Sequence, residues 1–516
     1  MDERKSVSAW GAALAIALTT LLTLAALYAP RFELPKIVAK IAPVVRSVSL
    51  PGVELWLSTE DRRLQLARQP EVEMHARGTE PADIVVNVDK TYQTMTGFGA
   101  AMTDSSAWLL QNKLNGLQRN ALLHELYGPP PNLNLNMMRL TIGASDFSLK
   151  LYTLDDVPFG QDDPQLKHFN VTTNLRDVIP TVREVLSINP SLLVIASSWS
   201  APAWMKTSQN LIGGELLEEH ESTYADYLVK YLDTYRGYGI PIFALTLQNE
   251  PSFTPITYPG MEMSAATRAR VVGQYLGPRL ANRKQKTRIL EWDHNWNQPE
   301  QPLSVLADPD AARYIDGVAW HCYEGSQYVQ GRVHRAYPDK DTYITECSGG
   351  DWASSVNGEL IWFSRNLLVT GIRQWARGVL YWNLALDENH GPHYGGCAAC
   401  KGVITIDSRT GAVSRNDEYY AFAHFSQFLF PGATRVESTA TDKERIDNVA
   451  FQNASDGSLV LVVVNSNAEA RPVSVAQDQS RFEYTMPPRS VATFVWNPGQ
   501  SGVYMERANG WPNTAP

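Results

Sequence analysis

The spacing of apolar residues changes rhythm twice along the chain, and each change marks an expected domain boundary. From Gly52 to residue 95 short stretches alternate as half-buried strands do: VELWLST, RRLQLARQ, VEMHA and ADIVVNV, with Val53, Leu55 and Leu57 on one face. From about residue 97 to 430 short apolar runs alternate with helical patterns. The runs fall at 97–103, 135–141, 192–198, 241–249, 286–292, 316–322, 342–346 and 378–384. Among the helical patterns, 223–236 places Tyr224, Tyr227, Leu228, Tyr231 and Leu232 on one stripe, with Thr223 positioned to cap its start and Gly237 to end it. Segment 174–188 does the same with Leu175, Ile179, Val182 and Val185. Eight strands each followed by a helix is the arithmetic of a (β/α)8 barrel. A doubly wound sheet is the competing arrangement, but the chain shows no Gly-rich phosphate loop in the right context. After Pro431 the helical pattern stops. VAFQN, LVLVVVN, PVSVAQ, RFEYTM and VATFVWN read as short strands, and Asp456-Gly457 as a hairpin turn. The expected fold is therefore α/β: a (β/α)8 TIM barrel over 96–430 with an attached β-sandwich built from both chain ends, 51–95 and 431–500, and a tail over 501–516.

Residues 1–50 follow neither rhythm. Arg4 and Lys5 precede a nearly charge-free run from Ala9 to Ala29, long enough to span a bilayer and long for a signal peptide. Pro30 directly after Ala29 is unfavourable for cleavage, so the balance tilts to an uncleaved anchor, with a signal peptide over 1–29 as the alternative. On either reading the catalytic part is exported, secreted or membrane-anchored, and residues 9–29 are the expected point of membrane association. Residues 30–50 read as a linker.

Composition narrows the function more than the fold. A net charge of −9 without a basic block argues against a nucleic-acid partner. The 14 Trp and 22 Tyr suit a large core and also sugar-stacking surfaces. Of the four cysteines, Cys322, Cys347, Cys397 and Cys400, the last two form a C-x-x-C. No histidine spacing supports zinc, and a short-range disulfide and free thiols both remain open.

Two strands end in a carboxylate. PIFALTLQNEP (241–251) runs from apolar residues into Gln248, Asn249 and Glu250, and YITECSGGDW (343–352) leads into Glu346. An acid at the end of a buried strand costs desolvation energy, and the C-terminal ends of barrel strands are where barrel enzymes keep reactive groups. Two carboxyls on strands four and seven face one bowl. Glycoside hydrolysis needs such a pair, with retention of configuration near about 5 Å separation and inversion at about 7 Å or more.

At these residues the chain resembles the family 30 glycoside hydrolases, the family of lysosomal glucosylceramidase and its bacterial and fungal relatives. GFGAAMTD (97–104), MMRLTIGASDFS (137–148), SSWSAPAWMK (197–206), LQNEP (247–251), AWHCY (319–323), ITE (344–346) and YWNLAL (381–386) carry the resemblance, in family order. It implies Glu250 as general acid/base and Glu346 as nucleophile. It implies Asp104, Trp199 and Asn249 as groups that bind the glucosyl hydroxyls, Trp382 as a wall of the pocket, and His321 and Tyr323 as the pair flanking the nucleophile. Each has a plainer reading. Trp204 and Trp382 can be core, Asp104 can cap the following helix, and His321 can be structural or can hydrogen-bond Glu346. Arg139 is a charge in a buried strand and needs a partner; Glu346 is the expected one, kept ionised by the cation while Glu250, against apolar walls, keeps its proton.

The main expectation is a retaining β-glucosidase of glucosylceramidase type acting by double displacement. The alternative is an endo- or exo-β-1,6-glucanase, and an alternative of another class is a catalytically dead carbohydrate-binding barrel. The partner is a β-glucoside, glycolipid or glucan. No metal or organic cofactor is needed. The His390–Cys400 loop, with its C-x-x-C, looks more like microbial members, some of which cut β-1,6-glucan.

Overall fold

A computed structural model describes residues 52–283, 286–352, 359–439 and 445–498. The 9–29 segment and the 501–516 tail lie outside the described residues. Among the described residues no helix is long and apolar enough to cross a membrane.

Eight parallel strands close into a barrel: β1 (Gly97–Ala101), β2 (Met137–Ile142), β3 (Leu193–Ser198), β4 (Ile242–Thr246), β5 (Arg288–Asn295), β6 (Gly317–His321), β7 (Asp341–Glu346) and β8 (Ala376–Asn383). Every predicted run supplies one strand. The first needs glycine because β1 lies against β2: a Cβ on Gly99 would stand 2.0 Å from the Met137 carbonyl oxygen.

Side-chain period explains what the barrel encloses. Met137, Ile195, Ala244, Leu290, Ala319, Tyr343 and Leu380 form one buried cluster inside it. Two residues further along each strand the same face recurs. On β2, β3, β4, β6, β7 and β8 that position holds Arg139, Ser197, Thr246, His321, Thr345 and Trp382. A plug of apolar residues thus carries a polar layer at the C-terminal mouth. β5 departs from the rule. Its register shifts between Trp292 and His294, and Trp292 and Asp293 have φ of 78° and 57°. This bulge turns Asp293, not Trp292, into the polar layer.

The helices differ from expectation at their ends. The predicted 223–236 helix runs Glu221–Gly237; Thr223 lies inside it and is not its cap, and the left-handed residue after it is Gly239 (φ 80°). The predicted 174–188 helix begins four residues later, at Val178.

Apart from two small sheets of two and three strands, the other described strands form one ten-stranded sheet that draws on both ends of the described chain. Val53–Thr59 pairs antiparallel with Ser490–Trp496, and Ile84–Thr94 lies between Thr434–Ser438 and Arg471–Gln477. Leu55, Leu57, Leu461, Val463, Phe482 and Phe494 belong to its core. Two predicted N-terminal strands shift: RRLQLARQ becomes Ala67–Val72, and VEMHA shrinks to His75–Ala76. Thr434–Ser438 was not foreseen. The Asp456-Gly457 turn joins Ile446–Gln452 to Leu459–Asn465, with Gly457 at φ 73°.

Helix Asp417–Ser426 holds barrel and sandwich together. Phe422 and Phe425 pack on Phe98 of β1, while buried His424 reaches Thr493 Oγ1 and Ser58 Oγ of the sandwich, each at 2.8 Å. Burial pushes the His424 imidazole down to about 3. Between pH 6.5 and 3 the unfolded chain therefore takes up a proton that the folded chain refuses. Stability from this site falls as pH drops, by up to about 1.4 kcal/mol per pH unit. His424→Gln should flatten the acid side of a melting-temperature profile; a profile that does not change on substitution would rule His424 out as a source.

Candidate active site

The polar layer converges on Asp293. Its Oδ2 accepts hydrogen bonds from Arg139 Nη2 (2.8 Å), Ser197 Oγ (2.6 Å) and Thr246 Oγ1 (2.6 Å), and its Oδ1 from Thr345 Oγ1 (2.6 Å). His321 Nε2 lies 3.1 Å from the same Oδ1. Burial opposes ionisation of Asp293, but Arg139 and His321 outweigh it and hold the carboxyl well below the usual range. Asp293 was not among the predicted site residues; it lies inside β5 and not at its end, and only the bulge turns it inward.

Arg139 joins that layer to the two foreseen acids. Its Nη1 donates to Glu346 Oε2 and its Nη2 to Asn249 Oδ1 (2.8 Å), and its guanidinium lies over the rings of Trp199 and Trp382. The expected Arg139–Glu346 pair is present, with Asp293 and Asn249 as further partners. Holding Asn249 by its oxygen leaves the amide N–H groups for another acceptor. Tyr323 donates its hydroxyl to Glu346 Oε1 at 2.9 Å.

Glu250 stands four residues past the end of β4 in a left-handed conformation, φ 48°, and its backbone N–H donates to the Asp293 carbonyl. Its Oε1 lies 3.1 Å from His321 Nδ1 and 3.9 Å from His294 Nε2. So His321 contacts Glu250 and Asp293, and stands 3.8 Å from Glu346 rather than hydrogen-bonding it. The ligand atoms of Glu250, His321 and Glu346 lie within 4.8 Å of one another. Such a cluster is close enough for a cation, but each of these atoms already has a neighbour of opposite charge or a hydrogen-bond partner here, and the set reads as a neutralised acid pair.

The expected proton placement needs correcting. Burial lowers the basicity of His321, but Glu346, Asp293 and Glu250 raise it to about 9, so the ring is an imidazolium at neutral pH. Burial raises Glu250, yet the hydrogen bond and charge of His321 win and leave it below its ordinary value. For Glu346 burial wins over His321 and Arg139, and its value is raised. Glu250 thus sits against two histidines, not apolar walls, and the mobile proton rests on His321 across one hydrogen bond from Glu250.

A cavity of about 460 Å³ opens on both carboxyls, and Asp146, Tyr258, Trp352 and Trp382 line it among others. Trp382 stacks on Trp199 at 5.0 Å, so Trp382 is the wall and Trp199 the support behind it. Trp204 donates to the Asp155 carbonyl and belongs to the core. Asp104 is not brought into this cavity. Thr103 takes the helix cap instead, and the Asp104 carboxylate accepts from the Tyr152 hydroxyl at 2.9 and 3.1 Å, beside a separate cavity lined by Leu149, Lys150 and Arg176. A second cavity of about 330 Å³ lies on the other side of Glu250, with Asn295, Asn297, Gln298 and Glu324 on its wall.

All four cysteines pair. Cys322–Cys347 joins the residue after His321 to the residue after Glu346, and Cys397–Cys400 closes the C-x-x-C. Buried Lys206, which burial pushes down to about 7, donates to Ser200 Oγ (2.7 Å) and to the Leu211 and Gly260 carbonyls (3.0 Å each), tying the loop after β3 to the segment after β4.

A barrel with two opposed carboxyls at its C-terminal mouth is the architecture of a glycoside hydrolase, and comparison with known proteins agrees. Residues 95–429 match the TIM-barrel domain of glycosyl hydrolase family 30 and residues 432–494 its beta sandwich domain. The chain belongs to this family. An endo-1,6-beta-D-glucanase of Neurospora crassa is 36% identical over 72% of this chain and 79% of its own length. Lysosomal acid glucosylceramidase of Mus musculus is 29% identical over 80% and 83%. A solved endo-beta1,6-glucanase superposes with a TM-score of 0.79 at 31% identity, over 87% of this chain and all of its own.

Proposed function

We propose that this chain is a retaining glycoside hydrolase that cleaves β-1,6-glucan. Glu346 attacks the anomeric carbon as the bond to the leaving oxygen breaks, and Glu250 protonates that oxygen. A water then attacks the glucosyl ester; Glu250 takes its proton, and Glu346 leaves as carboxylate. Carboxylate oxygens within 4.8 Å of each other support retention, since an inverting pair must leave room for water between them. The proton for the first step comes from His321: moving it to Glu250 leaves a neutral imidazole that still donates Nε2–H to Asp293. Asn249 offers its amide N–H groups to the sugar 2-hydroxyl.

The observation that carries the glucan reading is the chemistry beyond Glu250. The cavity on that side presents Asn295, Asn297, Gln298 and Glu324, groups that suit the hydroxyls of a second sugar and not the chain of a ceramide. The relatives point the same way, because the glucanases share more identity with this chain than the mouse glucosylceramidase does. The glucosylceramidase expectation thus yields to its alternative. It survives as a second reading on one feature: Phe253 and Ile256, 46% and 88% exposed, stand apolar at the mouth of the first cavity. A paired assay decides. The protein is given β-1,6-glucan and a fluorescent glucosylceramide, with Glu346→Gln as blank. Sugar released from the glucan alone is the expected result; release from the lipid alone would overturn the glucan reading.

Export is part of the proposal. The apolar 9–29 run supports it, and two disulfides suit an oxidising compartment.

A further inference from the structure

A polar cavity at the seam between barrel and sandwich has no part in the scheme above. It measures about 370 Å³, and residues of helix Tyr328–Ala336, of the helical segments Phe363–Thr370 and Gly371–Arg373, and of strand Ile446–Gln452 wall it. It shares no lining residue with the two cavities beside Glu250. Its walls are tied together. Gln330 Nε2 donates to the Gly371 and Gln374 carbonyls at 2.8 and 3.0 Å, which joins the two helical walls. Arg365 Nε reaches Asp447 Oδ2 of the sandwich at 2.6 Å. Arg373 donates to the Ser438 hydroxyl, the Ser438 carbonyl and the Asn448 carbonyl, each at 3.0 Å.

These bonds use three of the five Arg373 N–H groups. Asn366 gives its amide N–H to the Trp362 carbonyl at 3.1 Å and keeps its oxygen. Gln327 and Gln374 each add a donor and an acceptor to the lining, and Tyr328, 60% exposed, adds an aromatic ring. Of the lining side chains Val369 alone lacks a polar group, so an apolar ligand fits badly. An anion fits badly too, because Asp447 stands in the same wall. Mixed donors and acceptors beside an exposed ring suit a sugar, whose hydroxyls both donate and accept and whose C–H face lies on aromatic rings. Position narrows the ligand further. Tyr323 and Glu324 line the cavity beyond Glu250, and Gln327 and Tyr328 line this one. Tyr323 and Tyr328 are five residues apart, so their Cα atoms lie within about 19 Å of each other. A run of a few sugars covers that distance.

We propose that the seam cavity is a second binding site for β-1,6-glucan, gripping the polysaccharide outside the catalytic cavity through Tyr328, Arg373, Asn366 and the two glutamines. The inference rests on the glucan reading above and deepens it: holding the polymer at a second point raises its concentration at the acids.

The test is retardation of the full chain in native gels that contain soluble β-1,6-glucan, with Glu346→Gln in every protein so that nothing is cut. Tyr328→Ala should weaken the apparent affinity about 3- to 10-fold. Tyr328→Trp keeps an aromatic platform and should bind at least as tightly as the parent. A tryptophan variant that loses as much as alanine would mean that the tyrosine only supports local structure, and would overturn the inference. Asn366→Ala, on the neighbouring helical segment, should also weaken binding and carries the test if Tyr328→Ala does not fold. Retardation equal to the parent's in both alanine variants would overturn the proposal, and so would a Tyr328 effect seen with β-1,3-glucan and not with β-1,6-glucan. Cleavage of the glucan by the chain with Glu346 intact is measured in parallel. Tyr328-dependent retardation without cleavage would sink the hydrolase reading and leave the seam site standing. A parent protein that β-1,6-glucan does not retard would sink the seam site, whether or not the glucan is cleaved.

Discussion

Glu346→Gln is expected to lower turnover of every β-glucoside by on the order of 10⁴-fold or more, because an amide neither attacks the anomeric carbon nor leaves from it. Glu250→Gln should behave differently, and the contrast assigns the roles. For a glucan, whose leaving alkoxide needs a proton, the loss should be about 10²–10⁴-fold. For an aryl glucoside with a good leaving group, formation of the glucosyl ester should be nearly normal and its hydrolysis slow, seen as a burst. Equal loss across leaving groups would remove Glu250 as the acid. The pH profile follows from the same pair. Glu346 must be ionised to attack, and its value is raised, so the acid limb lies above that of a free glutamate. The acid limb therefore rises as Glu346 deprotonates. The proton shared by His321 and Glu250 must be present, and it leaves as pH rises through about 9. His321→Asn removes that reserve, and the alkaline limb should move to lower pH by more than one unit. An unchanged alkaline limb would mean that the proton is stored elsewhere.

These groups were legible in the sequence to different degrees, for physical reasons. Glu250 and Glu346 stood out because each ends an apolar run, and a buried carboxylate is costly enough to need an explanation. All eight barrel strands were legible because a strand enclosed on both sides is apolar throughout. The sandwich strand boundaries were not. Ala67–Val72 is mostly exposed or half-buried, and nothing in its composition marks its ends.

Asp293 was missed through a backbone irregularity. Counting in twos from Leu290 points Trp292 inward, and only the bulge at Trp292–Asp293 reverses that. A left-handed Trp has no sequence signature. Asp104 failed in the opposite way: its motif was right, but the partner that takes its carboxylate, Tyr152, lies 48 residues away, where no local pattern reaches. The proton placement failed because it turned on which acid His321 faces, and that is set by the meeting of β4, β5 and β6. Cysteine pairing was open for the same reason. Cys322 and Cys347 are 25 residues apart, and they become neighbours because β6 and β7 are adjacent strands.

Arg139→Met should be the most destabilising change in the site, by about 3–5 kcal/mol, because it leaves buried carboxylates without their cation. Arg139 is fully buried and shared among Glu346, Asp293 and Asn249. Its loss should also raise Glu346 further and move the acid limb of activity to higher pH. Arg139→Lys keeps the charge but not the planar fork that serves three partners, so it should recover part of the stability and little of the rate. The decisive variant is the double one, Arg139→Met with Asp293→Asn, which removes the cation together with one of the anions it balances. If the two form one network, its stability loss should fall short of the sum of the single losses by about 0.5–3 kcal/mol. Activity should not return with it, since an amide at 293 no longer holds His321 as an imidazolium beside Glu250. Losses that simply add, measured by chemical denaturation of all four proteins, would show that Arg139 serves Glu346 alone and that Asp293 is anchored by its hydroxyl donors.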